Sequence, residues 1–191
     1  MHKIIEKRDL LRIAGDLFRQ KGYSATSIDD IANSCGVTKG SLYHHFSGKE
    51  ELALSAIGQV HEYYRDNIFS IILESERPGA DELVRFNTAV EHFFAQHPYG
   101  CLLANLSLEM GSSYEPFKDT IVAFFAEWTE CYRKVFAMTM PAGQANARAE
   151  DAVAIVQGCV LMYRIHRQLD PLRRQHARLV EECRADAAQA H

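Results

Sequence analysis

The stretch from Thr26 to Lys49, TSIDDIANSCGVTKGSLYHHFSGK, leaves the chain few ways to fold. Ser27 is a helix N-cap, and Asp30 stands three residues on, where the acid of a capping box belongs. Ile28, Ile31 and Ala32 then make an apolar i, i+3, i+4 stripe. Gly36 ends that helix, since glycine takes a positive φ most readily. Val37 turns back to the core. Thr38 caps a second helix through Lys39, Gly40, Ser41, Leu42, Tyr43, His44 and His45. Leu42 and Phe46, four apart, bury against Ile28, Ile31 and Val37. Thr38, Lys39, Ser41, Tyr43, His44 and His45 are left facing outward.

Two short helices joined by a tight turn are a helix-turn-helix, and the second is its recognition helix. Small donors, one cation and polar aromatics suit phosphates and base edges in a major groove. Thr38, through its hydroxyl and backbone N–H, is placed to bind a phosphate. A plain helical hairpin with a polar surface fits the same short pattern, so the flanking sequence has to decide.

Upstream lies RDLLRIAGDLFRQKGYSATSIDDIA and downstream GVTKGSLYHHFSGKEELALSAI. Together they resemble the DNA-binding domain of TetR-family transcriptional regulators. The matching residues are Ala14, Leu17, Phe18, Gly22, Tyr23, Thr26, Ile31, Ala32, Gly36, Val37, Lys39, Gly40, Leu42, Tyr43, Phe46, Lys49, Glu50 and Leu52. The resemblance implies an all-α chain of about nine helices. A three-helix DNA-binding domain over 1–48 would precede a larger ligand-binding and dimerisation domain over 49–191. It implies DNA contacts from Thr26, Ser27, Thr38, Lys39, Gly40, Ser41, Tyr43, His44 and Lys49. The expected partners are a double-stranded operator, an unidentified small-molecule effector and a second copy of the chain, held through the last two long helices. The function implied is a repressor that binds a palindromic operator as a dimer and is released by its effector.

Charge needs one comment, because a net charge of −4 is unusual for a DNA binder. Residues 1–50 carry eight Lys/Arg against six Asp/Glu, and the remainder 13 against 19. The local field governs DNA contact, and the acidic remainder discourages the larger domain from touching DNA. Glycine and proline are scarce, and proline falls only at apparent breaks, as an all-α chain requires. The five cysteines are an odd number and form no CxxC. With no secretory leader, this suggests a reducing cytoplasm. No apolar run approaches the length of a membrane span.

Along the chain, a first helix over 3–21 buries Leu10, Ile13, Ala14, Leu17 and Phe18, and Gly22 ends it. A helix from about residue 47 to 72 would run nearly 40 Å. Lys49 in its first turn opposes the helix dipole; in the family that position faces a phosphate. Further helices follow over 81–96, 101–111, 114–138, 147–169 and 170–188.

The second informative segment is GCLLANLSLE, from Gly100. Cys101, Asn105, Leu108 and Glu109 share one helical surface. The segment resembles one, often GCLLGNL, in a subgroup of the same family, with Ala104 in place of glycine; there it lines or abuts the effector cavity. Two readings of Cys101 stand side by side: a thiol whose pKa the helix N-terminus lowers, aided by His97, or a small buried hydrophobe. The helix over 114–138 is apolar on more than one side. Tyr63, Phe94, Phe124, Trp128 and Tyr132, with Cys101, Asn105 and Glu109, are the expected pocket residues. An aromatic stripe at helical spacing is also what a plain core looks like. No catalytic motif and no metal-ligand spacing is present, so no enzyme, cofactor or metal is expected. The competing reading is a thiol-reactive or small-molecule-binding helical protein, an enzyme or redox sensor, that no longer regulates a promoter.

Overall fold

A computed structural model describes residues 5–109 and 115–189, which are helical with no strand among them. Packing divides the chain into two units: 1–62 with 101–122, and 63–100 with 123–191. The boundary expected after residue 48 lies inside the first of these units.

In the first unit, α1 (Lys7–Lys21) starts four residues later than its composition suggests, and residues 1–4 lie outside the described part. Its buried face is Leu10, Leu11, Ala14, Gly15, Phe18 and Arg19, with Ile13 and Leu17 only half-buried. The face is therefore rotated from the expected stripe. Gly15 explains part of this, because a Cβ there would sit 3.4 Å from Leu102. The missing side chain lets α7 (Leu102–Glu109) lie close.

The capping box opening α2 (Ile28–Cys35) forms as expected. The Asp30 N–H donates to Ser27 Oγ at 3.1 Å, and Ser27 N–H donates back to Asp30 Oδ2 at 2.9 Å. Gly36 closes the helix in the left-handed region at φ 67 and ψ 30, and its N–H reaches the Ala32 and Asn33 carbonyls. α3 (Lys39–Tyr43) is five residues long, shorter than expected, with His44 as its C-cap. Leu42 and Phe46 are 2% and 3% exposed, beside a fully buried Ile31. Ser47 N–H and Oγ both donate to Glu51 Oε2, which opens α4 (Lys49–Tyr64).

The chain passes into the second unit near the end of α4. A π-helical turn, Arg65–Phe69, and α5 (Ser70–Leu73) continue the helix without a break. The helix thus ends where expected, with one turn widened. Asn67 Nδ2 donates to the Tyr63 carbonyl at 2.9 Å and Ser70 Oγ to Asp66 O at 3.0 Å, so side chains share the loosened carbonyls. α6 (Ala80–Gln96), α8 (Glu115–Phe136), α9 (Ala142–His166) and α10 (Asp170–Gln189) complete the described helices. α9 begins five residues earlier than expected, since Pro141 serves as its N-cap. α10 packs on α6 and on α9. The core of this unit is aromatic: Tyr64 meets Phe93, Phe124 and Phe69 edge-on at 4.7, 5.0 and 5.3 Å between ring centres.

Hydrogen bonds from Ser27, foremost its side chain, with help from Lys21, bring the Asp30 carboxyl from its ordinary 3.8 to about 2. A depressed carboxylate contributes stability above its unfolded pKa that is lost as pH falls toward about 2. Ser27→Ala should therefore return the Asp30 titration, followed by carboxyl NMR, toward 3.8. Gly36→Ala, where a Cβ meets nothing within 4 Å, should cost only the backbone strain of about 1–2 kcal/mol in thermal or urea unfolding.

Candidate nucleic-acid interface and effector region

α3 presents the polar surface that its sequence leads one to expect. Thr38 caps it, with Oγ1 accepting from the Ser41 N–H at 3.1 Å and lying 2.9 Å from Ser41 Oγ. Thr38, Lys39, Gly40, Ser41, Tyr43, His44 and His45 are exposed, and so is Ser27 at the head of α2. Tyr43 is 51% exposed, a high value for an aromatic side chain with no ring partner to cover. The surface thus offers hydroxyls, N–H groups and one aromatic edge to a groove.

Lys39 is paired in the free protein: Nζ donates to Asp29 Oδ2 at 2.9 Å, and that hydrogen bond raises the lysine pKa. The pair is exposed and screened, so a phosphate can take the place of the Asp29 carboxylate. The sequence pattern did not show this pair, which spans the turn between two helices.

Two of the expected DNA contacts point elsewhere. Thr26 is fully buried, and its Oγ1 donates to the Gly22 carbonyl at 2.6 Å. Its hydroxyl ties the entry of α2 to the end of α1. Lys49 is half-buried and turned inward, with Nζ donating to the Tyr23 carbonyl at 2.9 Å and lying 4.3 Å from the centre of the Tyr23 ring. The carbonyl and ring offset the helix dipole that opposes a lysine there.

The expected pocket residues fall into two groups. Cys101, Asn105 and Glu109 belong to the first unit, and Tyr63, Phe94, Phe124, Trp128 and Tyr132 to the second. Glu109 faces no cavity, because its carboxylate accepts from the Tyr23 and Ser24 N–H groups. Asn105 is half-buried, and its N–H donates to the Cys101 carbonyl at 3.0 Å. Cys101 is buried, and burial pushes its thiol up despite nearby N–H donors and Arg19. The activated thiolate is thus overturned in favour of a small buried side chain. His97 stacks on Phe93 at 4.2 Å, and its Nδ1–H donates to the Phe93 carbonyl.

In the second unit, Phe94, Phe124, Trp128 and Tyr132 are fully buried: Phe124 stands edge-on to Trp128 at 5.7 Å, Phe94 meets Phe93, and Tyr132 meets Phe86 and Phe136. A buried polar line crosses this core. Tyr132 Oη donates to Asn87 Oδ1 at 3.2 Å, and Asn87 Nδ2 donates to the His176 carbonyl at 3.4 Å. His176 Nδ1–H donates to Glu91 at 2.7 Å. Burial drives the Tyr132 phenol well above its ordinary range. The Trp128 N–H lies near enough to the Tyr132 hydroxyl to favour its ionised form, yet it makes no hydrogen bond of sound geometry. Among the described residues the indole N–H is a buried donor without a protein acceptor. Asn87 and His176 were missed from sequence, although an Asn inside the apolar stripe of α6 is a signal. Tyr63 stands apart, 43% exposed. It lines a groove of about 460 Å³ with Asn67, Ile68, Ile71, Val84, Arg85, Thr88, Ala89 and His92. No group of three or more potential metal ligands, and no helix long and apolar enough to cross a membrane, occurs among the described residues.

Residues 10–56 match the family model described as bacterial regulatory proteins, tetR family. Residues 81–178 match that of the transcriptional regulator LmrA/YxaF-like C-terminal domain. The transcriptional regulator AcuR of Cereibacter sphaeroides is 27% identical over 86% of this chain and 79% of its own. The transcriptional repressor DhaR of a Mycobacterium species is 24% identical over 87% and 86%. A TetR transcriptional regulator from Legionella pneumophila shares the fold at a TM-score of 0.83, with 19% identity over 96% of this chain and 100% of that one.

Lys39→Met should weaken binding to every duplex alike and make the salt slope of log Kd shallower by about 1, read by fluorescence anisotropy across a salt series. In native protein at pH 7–8, buried Cys101 and Cys131, whose thiols burial raises, should resist a maleimide and label only on unfolding, as mass spectrometry of the labelled peptides would show.

Proposed function

Since the chain belongs to the tetR family of bacterial regulatory proteins, it is a transcriptional regulator and not an enzyme, and we propose that it is a repressor. In this reading a homodimer binds a palindromic operator through α3 and is released by a small-molecule effector. One observation carries it. A short capped helix, packed on α2 through Leu42, turns Thr38, Lys39, Ser41, Tyr43 and His44 out to solvent together. Ser27 and the backbone of Gly40 join that surface. Lys49 and Thr26 serve this surface from behind, by fastening the turn that leads into α2. The repressor sense follows DhaR, the relative that bears that name.

A second copy is supported by α9. Ile155, Leu161, Met162 and Ile165 are 48%, 54%, 41% and 59% exposed and share one side of the helix with Gly158 and Cys159. Gly158 costs about 1 kcal/mol in a helix interior, and a Cβ there would meet nothing within 4 Å in a single chain. Close approach of another helix gives that glycine a purpose.

The effector contacts are placed at Tyr63, Phe94, Phe124, Trp128 and Tyr132. The last four are buried in the aromatic core, so the ligand has to part that core, and the Trp128 N–H is a buried donor for it. Release needs an effector that prefers the head spacing that does not fit the operator, with a coupling of about 1–3 kcal/mol. The competing reading, a thiol-reactive protein, has the thiols against it: burial raises all five cysteines.

Selection from random duplex DNA at fixed salt should recover a palindrome with half-sites about one helical turn apart. Sequence-independent, salt-sensitive binding alone would refute the operator reading. Ile155→Glu with Ile165→Glu should yield monomers by light scattering and lose the palindrome.

A further inference from the structure

Glu109 is the last residue of α7, where the helix dipole disfavours a carboxylate. Its partners account for it. Tyr23 N–H donates to Oε2 at 2.7 Å and Ser24 N–H donates to Oε1 at 2.6 Å. Two successive N–H groups in a turn form a concave seat for an anion. Burial works to raise this carboxyl, but the two N–H donors outweigh it and hold it below its ordinary range.

The same turn is gripped from its other side. Lys49 Nζ holds the Tyr23 carbonyl at 2.9 Å, and the Tyr23 ring stands edge-on to Phe117 at 5.7 Å. Gly22 has φ 90, and a Cβ there would come within 2.8 Å of Glu109 Oε2. Any other residue is strained at that φ, and its Cβ would push the carboxylate off the turn. The turn leads directly into α2: Thr26 N–H donates to Tyr23 O at 3.2 Å and Thr26 Oγ1 to Gly22 O at 2.6 Å.

We propose that Glu109 is a positioning residue for DNA reading, whose carboxylate holds the Gly22–Ala25 turn and through it sets where Ser27 and α3 meet the duplex. This rests on the operator reading above. Glu109 touches no phosphate in this scheme. It acts on the placement of the groups that do.

The test uses Glu109→Gln, which keeps the shape and one acceptor, and Glu109→Ala, which keeps neither. Three quantities are read on the full chain: amide exchange at Tyr23 and Ser24, Kd for the duplex that the wild-type protein selects, and Kd for random duplex over a salt series. Exchange at the two amides should quicken and operator binding should weaken, each by about tenfold or more in Glu109→Ala and less in Glu109→Gln. Random-duplex binding and its salt slope should stay as in wild type. Operator binding equal to wild type in both variants overturns the proposal. So does an equal loss on operator and random duplex, which marks a general loss of the fold. A wild-type protein that selects no sequence overturns the operator reading, and this one with it; selection by wild type matched by both variants overturns this one alone.

Discussion

A helix of five residues has too few internal hydrogen bonds to hold itself together. α3 is such a helix, so the surface offered to DNA depends on bonds that lie outside it. Thr38 caps its first turn, and Leu42 and Phe46 anchor it to a core that includes Ile31, Ala14 and Phe18. α2 is only eight residues long and needs the same help, which the Ser27–Asp30 box and the left-handed Gly36 supply. Each element is too short to stand alone, and each is terminated sharply enough that it cannot run into the next. The polar face of α3 is therefore a consequence of its caps and its two apolar anchors, before any question of what it binds.

That dependence reaches further than the three helices. The turn that delivers the chain to α2 is fastened by a lysine 26 residues later and by a carboxylate 85–86 residues later. Electrostatics on this unit is thus largely internal, with Lys49 on a carbonyl, Glu109 on two N–H groups and Lys39 on Asp29. Charges that look available for phosphate in a residue count are in part already engaged, which is why a small local excess of basic residues says little about affinity. On the operator reading, what DNA gains is the exchange of Asp29 for a phosphate at Lys39, together with donors already fixed in place.

Features set by neighbouring residues were legible in the sequence. The capping box, Gly36, the Thr38 cap, the Leu42–Phe46 anchor and the outward set on α3 all follow from spacings of four residues or fewer. Residues 10–56, where such spacings are densest, also match the family model. Features set across the chain were not legible. Thr26 looked like a surface hydroxyl, and its inward turn depends on where the Gly22 carbonyl lies. The α1 stripe was misjudged by a rotation because Arg19 is buried, 3% exposed and paired with Asp16, a placement that hydrophobicity does not suggest. Cys101 was expected in the first turn of its helix and stands just before α7 instead, and the dipole argument ignored desolvation, which raises its thiol. A glutamate at the C-terminal end of a helix was the one visible sign of the clasp, and only its partners give that sign a meaning.

The second unit shows the opposite economy. Its centre could have been sealed with hydrocarbon alone, yet Asn87, Tyr132 and His176 are buried there in a hydrogen-bonded line that joins α6, α8 and α10. A buried amide is costly unless paired, and replacing the set with apolar residues of similar volume is often neutral or better for stability. Such a line does, however, fix which helices stand next to each other. Beside it lies the Trp128 N–H, buried and lacking an acceptor, within an aromatic cluster closed on itself. Parting that cluster forfeits edge-to-face contacts, and an acceptor for the indole offsets part of that loss. On the proposed reading, a molecule that entered there would push on α8, the helix that the Tyr132–Asn87 bond ties to α6. A purely hydrocarbon core of the same size would have no polar group to give such a molecule in return.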